Sequence, residues 1–194
     1  MFGEQNINFL NKQFDRMNIS DDQRQGYMDN MYKFSQNVRN IESDNNPLAA
    51  AGTTSAKGVY QFTDDSVNTG MNRMKNMGFG EDAISGISQN PAEWDDEQAD
   101  SMFLANMFAQ KGSDDLLGKI GGGDAQAMQD AYYKFHHTAP DEATINRVNK
   151  MMPAGEVDST MNDYAQTEDA FSSPEENTPE RGYSADFWNK DWLA

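Results

Sequence analysis

Apolar positions recur along this chain with the period of α-helices, while the alternation expected of half-buried strands is almost missing. The clearest stripe is Tyr27, Met31, Phe34, Val38 and Ile41, spaced alternately by four and three residues. That spacing predicts a helix of about 20 residues with one apolar face. Ser20-Asp21-Asp22-Gln23 precedes it as a capping box, the Ser20 hydroxyl and Gln23 amide satisfying orphan N–H groups. Val67, Met71 and Met74 mark a second helix, begun by Thr63 or Asp64 and stopped by Gly78. A shorter helix is expected over 81–88, ending near Asn90-Pro91.

The stretch 95–111 differs in kind. Met102, Phe103, Leu104, Met107 and Phe108 cover more than half of its circumference, which predicts a helix buried in the middle of the domain. Gly112 ends it, and Ser113 caps a brief successor through residue 120. Gly121-Gly122-Gly123 reads as a break; it lacks the Lys-Ser/Thr of a phosphate loop and follows no strand. Asp124 then caps a helix with Met128, Ala131, Tyr132 and Phe135 on one stripe. Pro140 suits the first turn of a last helix whose core face is Ile145, Val148 and Met152. Ile7, Leu10, Phe14 and Met17 support a short docking helix within 1–19. Only 58–62 offers a strand. The expected fold is all-α with minimal strand content: a compact multi-helix domain over 20–152, preceded by the segment 1–19.

Composition changes the picture at the C-terminal end. Residues 153–194 hold ten acidic and two basic side chains, and their Pro, Ser and Thr content predicts a largely extended tail. Tyr183, Phe187, Trp188, Trp192 and Leu193 interrupt it, enough apolar surface either to anchor 183–194 to a partner or to fold back on the domain. A net charge of −17 over 194 residues argues against nucleic acid as the primary ligand, since phosphate binding needs clustered Lys and Arg. The N-terminus has no signal-peptide core, and no run approaches the roughly 18 apolar residues of a membrane span. Synthesis in a cytoplasm is expected, with any work beyond a membrane requiring a carrier. Thirteen methionines suggest an adaptable core more than a cofactor box.

Candidate chemistry narrows quickly. With no cysteine and no Gly-x-Ser-x-Gly elbow, nucleophile triads fail. The only histidines, His136 and His137, are adjacent, so on a helix they point about 100° apart and do not readily chelate one ion. A histidine pair at a helix end, favourable for the dipole, is the preferred meaning. No metal site and no cofactor is indicated. Among 32 acids, Glu42 stands out, because it follows the end of an apolar stripe and precedes a loop of small residues that can admit a ligand. Desolvation there would lift its pKa from about 4.3 toward the range of a general acid at neutral pH.

Three separated elements resemble the lytic transglycosylase branch of the lysozyme-like superfamily. They are Glu42-Ser43 at a helix end followed by Asn46-Pro47; Gly58-Val59-Tyr60-Gln61 followed by Phe62-Thr63 and a helix; and Ala131-Tyr132 in a later helix. The phrase from Ala131 to Thr138 is similar to versions in bacteriophage virion proteins. Tyr133 stands where the family usually has Asn, and Val59-Tyr60 where it has Leu-Met. The resemblance spans about 20–152 and implies a lysozyme-like fold cleaving the β-1,4 bond between N-acetylmuramic acid and N-acetylglucosamine in peptidoglycan. It implies Glu42 as the one catalytic acid and base, closing a 1,6-anhydro ring. Ser43 would place that carboxylate or the substrate acetamido group. Gly58, Tyr60 and Gln61 would contact sugar, and Tyr132, or Tyr133 if the helix is rotated, would face the cleft. Asp44, Asp64 and Asp65 lie close in sequence and keep water-attacking hydrolysis open as a second chemistry. The corresponding setting is a phage virion, with 183–194 docking to portal, tail or internal core proteins; a late endolysin is a close variant. The alternative is a structural or ejection protein whose lysozyme-like domain does not turn over.

Overall fold

The computed structural model describes residues 1–52, 54–137 and 140–153. The acidic tail and its aromatic end at 183–194 lie outside the described residues. Within them the chain is all-α, with eight α-helices and a short 3₁₀ turn. The helices are α1 (Glu4–Arg16), α2 (Asp21–Ser43), α3 (Asp64–Asn76), α4 (Glu81–Ser85), α5 (Asp96–Phe108), α6 (Ser113–Gly121), α7 (Ala125–Phe135) and α8 (Glu142–Met151), and the 3₁₀ turn is Pro91–Glu93.

Helix α5 is the axle of the fold. Every residue from Ala99 to Phe108 is buried, as its all-round apolar surface requires, and α1, α3 and α6 pack against it. Its polar members are paired. Ser101 Oγ lies within 2.7 Å of both Asn6 Oδ1 and the Glu97 carbonyl, and Asn106 donates to the Met102 carbonyl while accepting from Arg73. A reciprocal capping box between Asp95 and Gln98 fixes its start. Gly70 lets α3 approach closely, since a Cβ there would lie 2.1 Å from Met102 Sδ.

The segment 1–19, expected as a docking helix, docks on the body of this same domain. Phe9, Leu10 and Phe14 of α1 enter the common core, Phe9 stacks on Phe79, and Glu97 accepts the Gln5 N–H to cap α1 from across the fold. On α2 the stripe Met31, Phe34, Val38 and Ile41 is buried, and its first member, Tyr27, is half-buried. A Schellman arrangement after α3 uses Gly78 at φ +86, with Gly78 and Phe79 N–H groups bonded to the Lys75 and Met74 carbonyls.

Local chemistry departs from expectation in four places. The Ser20 hydroxyl donates to Gln23 Oε1 at 2.7 Å, so the two side chains satisfy each other and cap no N–H of α2. Ser113 lies inside α6; its hydroxyl donates to the Phe108 carbonyl, and Gly112 occupies the cap position. Helix α4 stops at Ser85, before Ile87 turns into the core. Helix α8 is capped by Asp141, whose carboxylate accepts the Thr144 N–H at 2.7 Å, leaving Pro140 just outside.

Residues 58–62 form a turn and not a strand. Lys57 makes isolated bridges to Ala50 and Phe62, and the Gln61 N–H returns to the Gly58 carbonyl. Gly58 has φ +76, and a Cβ there would sit 2.7 Å from the Pro91 carbonyl oxygen. Both facts demand glycine. Gly58→Ala is expected to cost about 1–3 kcal/mol, measured by urea unfolding, because left-handed strain and a backbone clash act together.

Candidate active site

Helix α2 ends one residue beyond Glu42. Asp44 and Asn45 adopt left-handed conformations (φ 53 and 59), which Asp and Asn tolerate better than other side chains, and the helix cannot continue through them. Arg147 of α8 binds the end of α2, donating to the Asn40 carbonyl and to Asp44 Oδ1. The last turn of α2 thereby presents Glu42 toward the end of α7.

Glu42 is enclosed, its side chain only 8% exposed. Oε1 accepts the Tyr132 hydroxyl at 2.6 Å, and it lies 3.5 Å from His136 Nε2 and 3.8 Å from His137 Nδ1. Burial raises the carboxyl above its ordinary range; the Tyr132 hydrogen bond and the charges of His137 and Arg147 pull it back only in part. The shift is in the direction a general acid needs.

The two histidines contribute more than their sequence pattern suggests. Helix α7 ends at Phe135, so His136 leaves helical geometry (φ −123), and both rings approach one carboxylate oxygen instead of diverging by 100°. A partial signal exists in the sequence: Tyr132 and His136 are four apart, the spacing that puts two side chains on one helix face, although α7 stops one residue short of His136. The dipole explanation also needs correction. His136 is packed against the rings of Tyr60, Phe62, Phe103 and Tyr132, and burial lowers its imidazole to about 4, so it is neutral at pH 7. A pKa lowered from 6.5 gives stability that is whole above pH 6.5 and lost as pH falls through about 4. The loss is expected to reach about 3 kcal/mol, and in unfolding measured from pH 7 to pH 4 it should be absent from His136→Phe.

The other sequence candidates fall into two groups. Tyr132 is at the site, fully buried, its hydroxyl on Glu42. Tyr133 is half-buried, edge-on to Tyr132, and burial raises its phenol to about 12. Ser43, Gly58, Tyr60 and Gln61 are engaged in holding the 58–62 turn in place. The Ser43 hydroxyl reaches the Arg39 and Val59 carbonyls at 3.1 and 3.0 Å, tying the turn to α2. The Gln61 amide donates to the Gly58 and Ala49 carbonyls at 2.8 and 3.2 Å, holding its own left-handed backbone (φ 51). Gly58 lies against Pro91.

Tyr60 is 1% exposed and faces no opening, contrary to its expected contact with sugar. Its hydroxyl donates to Asp100 at 2.5 Å and accepts from Arg39 Nε at 3.2 Å, while its ring stacks on Phe103. Arg39, itself 3% exposed, also donates to Asp96 and Asp100. Burial raises both the Tyr60 phenol and the Asp100 carboxyl, the guanidinium of Arg39 opposing each. This buried network clamps the 58–62 turn between α2 and α5.

A separate cavity of about 440 Å³ is lined by Gln5, Asn8, Phe9, Lys12, Phe79 and Glu97, among others. It shares no residue with the Glu42 cluster, and the chemistry of that cluster, more than the size of the cavity, selects the site. Among the described residues no group of three or more His, Asp or Glu side chains is arranged to hold a metal ion. No helix among them is long and apolar enough to cross a membrane. Comparison of the chain with protein-family models, with curated proteins and with solved structures returned no match.

Proposed function

We propose that this chain is a peptidoglycan lytic transglycosylase that works with Glu42 alone. The observation that carries the reading is the buried Glu42 carboxyl, raised by its surroundings and hydrogen-bonded by Tyr132 at 2.6 Å. The carboxylates nearest in sequence sit in different surroundings from Glu42. Asp44 is 85% exposed and bonded to Arg147, and Asp64 is 65% exposed and lies 4.0 Å from Lys57, whereas Glu42 alone among these is enclosed and bonded by Tyr132. The resemblance of Glu42-Ser43, Gly58 to Gln61 and Ala131-Tyr132 to the transglycosylase motifs points the same way.

In this reaction Glu42 protonates the glycosidic oxygen between N-acetylmuramic acid and N-acetylglucosamine. Its carboxylate then takes the proton of the muramoyl C6 hydroxyl as that oxygen closes the 1,6-anhydro ring. Tyr132 holds Oε1 in place during both transfers. In the proposed setting the protein rides in a phage virion, is made in the host cytoplasm and opens the wall locally during genome ejection. Residues 183–194 serve as its dock to other virion proteins.

Digestion of purified cell walls, followed by mass spectrometry of the released muropeptides, tests the chemistry. Anhydro-muramoyl ends are expected; reducing muramic ends without them would sink it. One observation favours the second reading, a non-catalytic domain serving assembly: the Gln61 amide and Ser43 hydroxyl are spent on internal carbonyls. Loss of wall turbidity excludes that reading. Deleting 183–194 should reduce incorporation into particles; normal incorporation would overturn the docking role.

A further inference from the structure

The cavity of about 440 Å³ outside the Glu42 cluster is polarised from end to end. Glu4, Gln5, Asn8 and Lys12 line it from one face of α1, with Phe9 among them. The eight positions from Glu4 to Lys12 correspond to a rise of about 12 Å along the helix. Glu97 of α5 joins the acidic end, where its Oε1 accepts the Gln5 N–H at 3.0 Å. One end of the cavity therefore holds two carboxylates and the other an ammonium, with the Gln5 and Asn8 amides between them.

The aromatic part of the lining is apolar but closed. Phe9 and Phe79 stack on each other with centroids 4.4 Å apart and are only 3% and 7% exposed, so neither offers an open ring face to a sugar. Gly78 and Gly80, on either side of Phe79, add wall without side chains. The polar groups here also differ from others on the same helix. Asp15 and Arg16, farther along α1, form ion pairs with Arg24 and Asp114. Among the described residues, no hydrogen bond or ion pair engages the side chains of Glu4, Gln5, Asn8 or Lys12.

We propose that this cavity binds a short extended peptide with a free ammonium at one end and a free carboxylate at the other. The ammonium lies against Glu4 and Glu97, and the carboxylate meets Lys12. A span of about 12 Å takes three or four extended residues. Gln5 and Asn8 each offer donors and an acceptor, as the peptide groups between the two ends require. Phe9 and Phe79 suit small apolar side chains. The two carboxylates repel a polyanion. The site shares no residue with the Glu42 cluster and does not depend on the reaction proposed there. A peptide of this kind can come from a cell-wall stem or from a protein segment.

The full ¹⁵N-labelled chain is titrated with tetra-alanine, with its N-acetylated and C-amidated forms, and with the stem tetrapeptide L-Ala-γ-D-Glu-L-Lys-D-Ala. None of these contains a glycosidic bond, so binding is read whether or not the chain cleaves walls. The side-chain amides of Gln5 and Asn8 and the backbone amides of Gly78 and Gly80 should shift together. Blocking either end of tetra-alanine should weaken binding about twofold to fivefold, the size of a solvent-exposed ion pair. Lys12→Gln should erase the difference between free and amidated peptide while leaving the amide's own affinity unchanged, which a general folding defect cannot do. Gly80→Trp should fill the cavity and abolish binding without loss of thermal stability, since a Cβ at Gly80 meets nothing within 4 Å and its φ of −65 suits any residue. Tighter binding of the stem peptide assigns the ligand to the wall, and tighter binding of tetra-alanine assigns it to protein; both uphold the site. Equal affinity for free and blocked peptides overturns the proposal. So does undiminished binding by Gly80→Trp, or the absence of shifts at these four residues at millimolar peptide.

Discussion

Glu42→Gln is expected to lower wall lysis by about 10²–10⁴-fold while making the protein more stable at neutral pH. The two effects share one cause. The folded state raises the Glu42 carboxyl above its unfolded value of about 4.3, so ionising it costs free energy only when the chain is folded. That cost is absent below about pH 4.3 and complete once pH exceeds the folded-state value. Gln keeps the shape, accepts the Tyr132 hydroxyl and carries no charge. Thermal unfolding should therefore show a gain for the variant that grows from acid toward neutral pH. Such a trade of stability for activity is common where a site holds a group away from its preferred ionisation. A variant that loses activity and stability together would mean that Glu42 is a structural anchor.

Arg39→Met is expected to destabilise the fold by about 3–5 kcal/mol, more than Gly58→Ala does. It leaves the buried Asp100 carboxylate and the Tyr60 hydroxyl without their cation, and an unpaired buried charge is costlier than a missing pair. Against a typical domain stability of about 5–15 kcal/mol, that is a large share. Adding Asp100→Leu and Tyr60→Phe removes the stranded groups, so the triple variant should recover much of the loss in urea titrations. If Arg39→Met unfolds like wild type, Arg39 is solvated in practice and the clamp on the 58–62 turn is weak. The same titrations can follow Trp94, whose indole donates to the Ser88 carbonyl and whose ring contacts Phe62 at the edge of that turn.

Much of this architecture is written locally. The stripe on α2, the all-round apolar surface of α5 and the caps at Thr63 and Asp124 require only near neighbours, and they appear where their spacing places them. Side-chain competition spoils some local signals. Ser20 and Gln23 bond each other, and Ser113 bonds the carbonyl of the preceding helix, in place of the N–H groups they were expected to cap.

The candidate site divides along the same line. By itself the sequence determined an all-α domain, and it singled out Glu42 at the end of an apolar stripe with Tyr132 on a later helix. Tertiary structure alone decided that these two, 90 positions apart, meet at 2.6 Å. It also decided that Tyr60 is spent on Arg39 and Asp100, because alternation and motif show which residues are large and polar but not which buried charge needs them. The histidines illustrate the reason most directly. Their convergence on Glu42 depends on where α7 stops and how α8 is tied back to α2 through Arg147, and both are set by contacts between residues distant in the chain.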